Sequence, residues 1–98
     1  QQPIEAWAIA DACRRAHALT DDPRWLEATQ AAAAWFLGAN DNHVPVWDSA
    51  TGAAYDGLTP AGVNLNQGTE STMAWIATQL AVRSAERHHA CASGASRR

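Results

Sequence analysis

The polar residues with catalytic potential gather at two helix starts and in one long loop. The densest string is Asn64-Leu65-Asn66-Gln67-Gly68-Thr69-Glu70-Ser71-Thr72. Its sharpest member is Glu70, a carboxylate in the first turn of a helix, behind a glycine that permits close backbone approach. Such a group suits a general acid or base, or a grip on sugar hydroxyls. It equally complements the positive end of the helix dipole. Asp56, between Tyr55 and Gly57, reads as a turn residue, or as the second carboxylate of a pair with Glu70 if the loop folds back over the helix start. Paired carboxylates flanking an oxocarbenium-forming centre are the machinery of glycoside hydrolysis. Trp47 and Tyr55 are either stacking platforms for sugar rings or anchors of the loop to the core. At the start of the first helix, Gln2 and Glu5 add polar side chains, with Glu5 open to the same dipole reading as Glu70. His17, His43 and the pair His88-His89 show no ligand spacing with a cysteine or carboxylate. No metal site, phosphate loop, nucleophile elbow or Cys/His dyad is legible, so no metal and no cofactor is expected.

Three helices and a loop must position these groups. Pro3 suits a first helical turn, and a helical pattern follows over about 3–19, with Ile4, Ala8, Ala12 and Ala16 on one stripe. Ala6, Trp7, Ala10 and Cys13 extend that apolar surface, which predicts packing on more than one side. Thr20-Asp21-Asp22-Pro23 predicts a turn with Asp22 as N-cap of a second helix over 23–37, closed by Gly38. Its expected inner stripe is Trp25, Ala28, Ala32, Trp35 and Phe36. So short a connection predicts an antiparallel hairpin.

The stretch 39–67 carries Pro45, Gly52, Gly57, Pro60 and Gly62 without helical period, and reads as a site-forming loop. A short β-hairpin is expected in it, with 43–47 pairing 53–55 across Asp48 to Gly52. A third helix is expected over 68–86, with Met73, Ile76, Ala77, Leu80 and Ala81 along one side. The low-complexity end 88–98 is expected to be disordered.

The chain has 98 residues, among them 23 alanines, seven arginines and no lysine. That length suits one small domain, or one part of a larger one. A formal charge of −3 argues against a phosphate-driven nucleic-acid binder. No apolar run approaches the roughly 18–20 residues needed to span a membrane. Cys13 and Cys91 read as two free thiols, which leans towards the cytoplasm. The chain begins on Gln1 and its only methionine is Met73, so a piece of a longer protein is expected. Helices apolar on several faces agree, because three of them cannot cover one another. The remainder of the fold or a partner chain is expected to cover what is left.

The strings Gln2-Pro3-Ile4-Glu5, Thr20 to Leu26, Ala34 to Asp41, Tyr55-Asp56-Gly57-Leu58 and Asn64 to Thr72 resemble the end of an (α/α)6 toroid. They look like the six-hairpin glycosidase-like domain that accompanies bacterial glycosyltransferases. The resemblance covers residues 1–87 and implies an all-α fold, a quarter of a twelve-helix ring, with the first and third helices inner and the second outer. It implies a carbohydrate partner, with Glu70 and Asp56 as the catalytic carboxylates and Gln2, Glu5, Trp47, Tyr55 and Asn66 binding sugar. The expected function is binding or processing of sugars. The alternative is a non-catalytic helical module that buries its apolar faces against a partner or itself.

Overall fold

The computed structural model describes residues 1–96, with side chains through Ala92. It contains α1 (Pro3–Thr20), α2 (Pro23–Phe36), β1 (Gly57–Thr59), β2 (Gly62–Asn64) and α3 (Thr69–Ser96). The expectation of a mostly helical chain, with a hairpin followed by a further helix, holds.

The connection between α1 and α2 is two residues long. Asp21 takes a left-handed conformation (φ 57°) and donates its backbone N–H to the His17 carbonyl. Asp22 then caps α2, accepting from the Arg24 N–H at 3.0 Å, with Pro23 at the first helical position as expected. At the other end of α2, Gly38 and Ala39 donate back to the Trp35 and Ala34 carbonyls, the Schellman pattern that a C-terminal glycine allows.

α1 and α3 run in the same direction. Ile4 and Trp7 lie beside Glu70 and Met73, while Asp11 and Arg14 lie beside Leu80, Ser84 and Arg87. α2 runs opposite, with Phe36 against Trp75 and Gln30 donating to Glu86.

Three expectations need correction. First, the buried face of α1 is Pro3, Ala6, Ala10, Cys13 and His17, while Ile4, Ala8 and Ala12 stay exposed. In α3 the buried residues include Ser71, Ala74, Trp75, Thr78, Ala81 and Ala85, while Met73, Ile76 and Leu80 face outwards. In α2, Trp25 is exposed and Thr29 is buried. Small side chains let the helix axes approach closely, and the threonine hydroxyls are satisfied within their own helices, Thr29 by the Trp25 carbonyl and Thr78 by the Ala74 carbonyl. Each threonine thereby acts as a small apolar group.

Second, 43–47 and 53–55 do pair antiparallel across the turn, but only briefly: the bridge Trp47 to Ala54 is flanked by hydrogen bonds from the Tyr55 N–H to the Val46 carbonyl and from the Asp48 N–H to the Ala53 carbonyl. A second, unexpected antiparallel pair is β1 with β2, in the register Gly57–Asn64, Leu58–Val63 and Thr59–Gly62. The loop spends its other backbone groups elsewhere. Val46 and Trp47 donate to the Phe36 carbonyl, and Leu58 exchanges hydrogen bonds with Gln1. A Cβ at Gly57 would lie 2.6 Å from the Gln1 carbonyl oxygen, so only glycine admits that pairing. Asn40 knots the turn before it, donating to the Trp35 and Val44 carbonyls and accepting from the Asn42 and Val44 N–H groups.

Third, α3 does not end near residue 86. It continues to Ser96, through a segment rich in alanine, the best helix former, and His88 and His89 pack against His17. The expected disorder over 88–98 is therefore not seen over 88–96, and Arg97 and Arg98 lie outside the described residues.

Candidate functional site

The loop does fold back over the helix starts, and Asp56 is the residue that fastens it. Its Oδ1 accepts from the Gly68 N–H at 2.8 Å and from the Ser71 hydroxyl at 2.9 Å. α3 begins at Thr69 behind a glycine that has no side chain to cap with, so a carboxylate from the loop satisfies an N–H at the helix start instead. The contact is close: a Cβ at Gly68 would stand 2.7 Å from Asp56 Oδ1. The Asp56 N–H donates to the Asn66 carbonyl at 2.8 Å.

Beside this bracket lies an open cleft of ≈430 Å³, lined by Gln2, Pro3, Ile4, Asp56, Asn64, Gly68, Thr69, Glu70 and Ser71. It sits where the N-terminal ends of α1 and α3 meet. Its surface is mostly polar and offers both hydrogen-bond donors and acceptors. Of the seven residues singled out from the sequence, Gln2, Asp56 and Glu70 line this cleft. Glu70 is exposed, and Asp56 retains Oδ2 beyond the two bonds made by Oδ1.

The other four lie elsewhere. Glu5 accepts from the Gln2 backbone N–H at 3.2 Å and so closes the first turn of α1. Trp47 and Tyr55 are half-buried against the core, with the Trp47 ring 5.3 Å from that of Trp75. They anchor the loop and do not line the cleft. Asn66 is exposed, and its backbone holds the turn before α3, donating to the Asn64 side chain.

Two further groups line the cleft, both within the polar string 64–72 but neither distinguished there from its neighbours. Asn64 ends β2 and Ser71 sits in the first turn of α3; only the folded loop brings them to Asp56 and Glu70.

Electrostatics at the back of the loop hold it closed. The Asp48 carboxyl accepts from the Ala50 N–H and from the Gln67 side-chain amide, which together keep it below the usual carboxylate range. Gln67 thereby ties the turn at 48–52 to the residues leading into α3.

At the opposite end of the molecule His17 is fully buried, with Nδ1 3.0 Å from the Asp22 carbonyl and Nε2 without a hydrogen-bond partner. Its ring lies 5.3 Å from that of His88 and 5.7 Å from that of His89. Sequence separation hid this cluster. Among the described residues, no group of three or more His, Cys, Asp or Glu side chains is arranged to hold a metal ion. Cys13 and Cys91 are both free, and burial pushes the Cys13 thiol up. No helix among the described residues is long and apolar enough to cross a membrane.

Comparison with known protein families, with characterised proteins and with solved structures finds no match to this chain.

Proposed function

We propose that the chain belongs to a carbohydrate-active protein of the (α/α)6 type, and that the cleft between the starts of α1 and α3 receives a sugar. The observation that carries this reading is the convergence of Gln2, Asp56, Asn64, Glu70 and Ser71 on one open polar cleft. Sugars present alternating hydroxyl donors and acceptors, which a mixed amide, carboxylate and hydroxyl lining can match. Glu70 is the exposed carboxylate and acts as acid, base or hydroxyl acceptor. Asp56, held through Oδ1, turns its remaining oxygen to the ligand and fixes its position relative to Glu70. The parallel course of α1 and α3, with α2 antiparallel behind them, supports an inner–outer–inner arrangement of helices.

Titration of the chain with maltose, cellobiose and chitobiose, followed by amide chemical shifts, tests the reading. Shifts are expected at Gln2, Asn64 and Glu70, and Glu70→Gln should weaken binding about tenfold, the loss of one charge-assisted hydrogen bond. No shift with any of these sugars at millimolar concentration overturns the proposal. Unchanged affinity in Glu70→Gln removes Glu70 from the site.

A second reading is a helical interaction module. It is favoured by the outward-facing apolar residues of α3, where Met73, Ile76 and Leu80 are each more than half exposed. Single exposed apolar residues are ordinary, but a run of them along one helix marks an interaction surface.

A further inference from the structure

The outward seam of α3 has an order that its exposure alone does not explain. Glu70, Met73, Ala77, Leu80, Ser84 and Arg87 follow one another at alternating spacings of three and four, the repeat of a helix-packing seam. The seam borders a groove made of two adjoining hollows between α1 and α3. One, ≈460 Å³, is lined by Ile4, Trp7, Glu70, Met73 and Ala77 among others. The next, ≈370 Å³, shares Trp7 and Ala77 and runs on to Leu80, Ser84 and Arg87. The groove is thus acidic at one end, apolar in the middle and basic at the other. Among the described residues neither Glu70 nor Arg87 forms an ion pair, whereas Arg14, the other cation at the basic end, is held by Asp11 at 2.9 Å.

We infer that this face pairs with a second copy of the same chain, in an antiparallel two-fold arrangement. The proposal rests on the interaction-module reading above and names the partner. An axis passing between Ala77 and Leu80 sets Glu70 against Arg87 of the second copy, Met73 against Ser84, and Ala77 against Leu80. Every pair then matches large with small, or acid with base. Two-fold symmetry repeats each contact, so one seam supplies two ion pairs and two Leu–Ala contacts. A parallel arrangement would oppose Glu70 to Glu70 and Arg87 to Arg87, which like-charge repulsion disfavours. Met73 and Leu80 provide the apolar centre; the charges at the ends select direction.

Sedimentation equilibrium on the full chain tests the inference. A mass of twice 10.5 kDa is expected at about 100 µM, a concentration suited to a modest interface. Leu80→Glu, at an exposed position, should yield a folded monomer with unchanged helical circular dichroism. Arg87→Glu should weaken the dimer about tenfold, and adding Glu70→Arg to it should restore affinity to within about threefold. A folded monomer at 500 µM overturns this proposal and leaves the module reading only a partner of another kind. A monodisperse oligomer that Leu80→Glu leaves intact keeps the module reading and overturns this seam. A dimer lost in Leu80→Glu but unmoved by Arg87→Glu, or not restored by the charge exchange, overturns the antiparallel register.

Discussion

The two ends of this molecule are held together by different kinds of core. Under the loop, Ala6, Phe36, Val46, Ala54, Leu58 and Trp75 form a cluster, with Trp35, Val44, Trp47, Tyr55 and Val63 packed against it. Farther along the helices the apolar cluster is Ala10, Ala32 and Ala81, with Cys13, His17, Thr29, Thr78 and Ala85 also buried. The first is rich in aromatic area and depends on the loop for half its members. The second is made mostly of small side chains, one alanine from each helix at its centre, whose size brings the three helices into close contact. Burial stabilises in proportion to apolar area, so the loop end carries most of the hydrophobic stabilisation, and the helical end contributes geometry. The loop is therefore part of the fold's foundation as well as one wall of the cleft.

The largest expected effect comes from breaking the aromatic core. Phe36 is fully buried, with ring centroids 5.0 Å from Trp35 and 4.9 Å from Trp75. Phe36→Ala should cost about 3–5 kcal/mol, enough to unfold much of a domain this small, as seen by chemical denaturation. If the loss is below about 1 kcal/mol, the two ends are alike after all. A smaller effect is expected from overfilling the alanine core. Ala10 is fully buried, and Ala10→Leu should cost about 1–3 kcal/mol because the axes of α1, α2 and α3 must separate. A neutral or stabilising result would mean that the alanine cluster is loosely packed.

The smallest effect is electrostatic and appears only in acid. Asp48 in the loop is held below the usual carboxylate range by the Ala50 N–H and the Gln67 amide, and Asp11 on α1 by Arg14 and then Arg15. A carboxyl that is more acidic folded than unfolded adds stability that is complete above its unfolded value of about 3.9 and vanishes as pH falls through the folded value. Thermal unfolding should therefore be insensitive to these two groups between pH 5 and 8, and weaken below about pH 4. In Asp48→Asn the acid-induced change at the Trp47 indole resonance should diminish, while Asp11→Asn leaves it in place. Equal behaviour of the two variants at that resonance would show that the ends are not separately fastened.

Local signals in the sequence were reliable wherever the physics is local. Asp22 with Pro23, and Gly38 at the far end of α2, mark helix boundaries because capping is decided within a few residues. The hairpin followed from a two-residue connection. The buried faces are not legible from hydrophobicity, because hydrophobicity and burial do not coincide in these helices. In α1 and α3 the wide apolar surfaces left several faces eligible, and close helix approach selected alanine, threonine and serine over isoleucine, methionine and leucine. The loop's pairing is legible only in part. Residues 43–47 and 53–55 pair at Trp47 and Ala54 as their pattern suggests, but Val46 and Trp47 spend their N–H groups on Phe36, a partner invisible to a local pattern.

The candidate site divides along the same line. Glu70 stood out by its place in a first turn, and Asp56 by its proximity to a turn glycine. That Asp56 caps α3 from across the loop, and that Trp47 and Tyr55 serve the core while Asn64 and Ser71 line the cleft, depends on contacts between residues far apart in the chain. His17 with His88 and His89 is the extreme case, brought together from the first helix and the last.

By itself, then, the sequence determined three helices, their caps, the antiparallel hairpin and a loop rich in polar and aromatic groups, because propensity and capping act over a few residues. The tertiary structure alone decided which face of each helix is buried, which loop residues are structural and which line the cleft, and that α3 runs on into the expected tail. Those choices are settled by packing between distant segments, where small side chains win the interior by allowing backbones to approach and larger apolar ones are left on the outside.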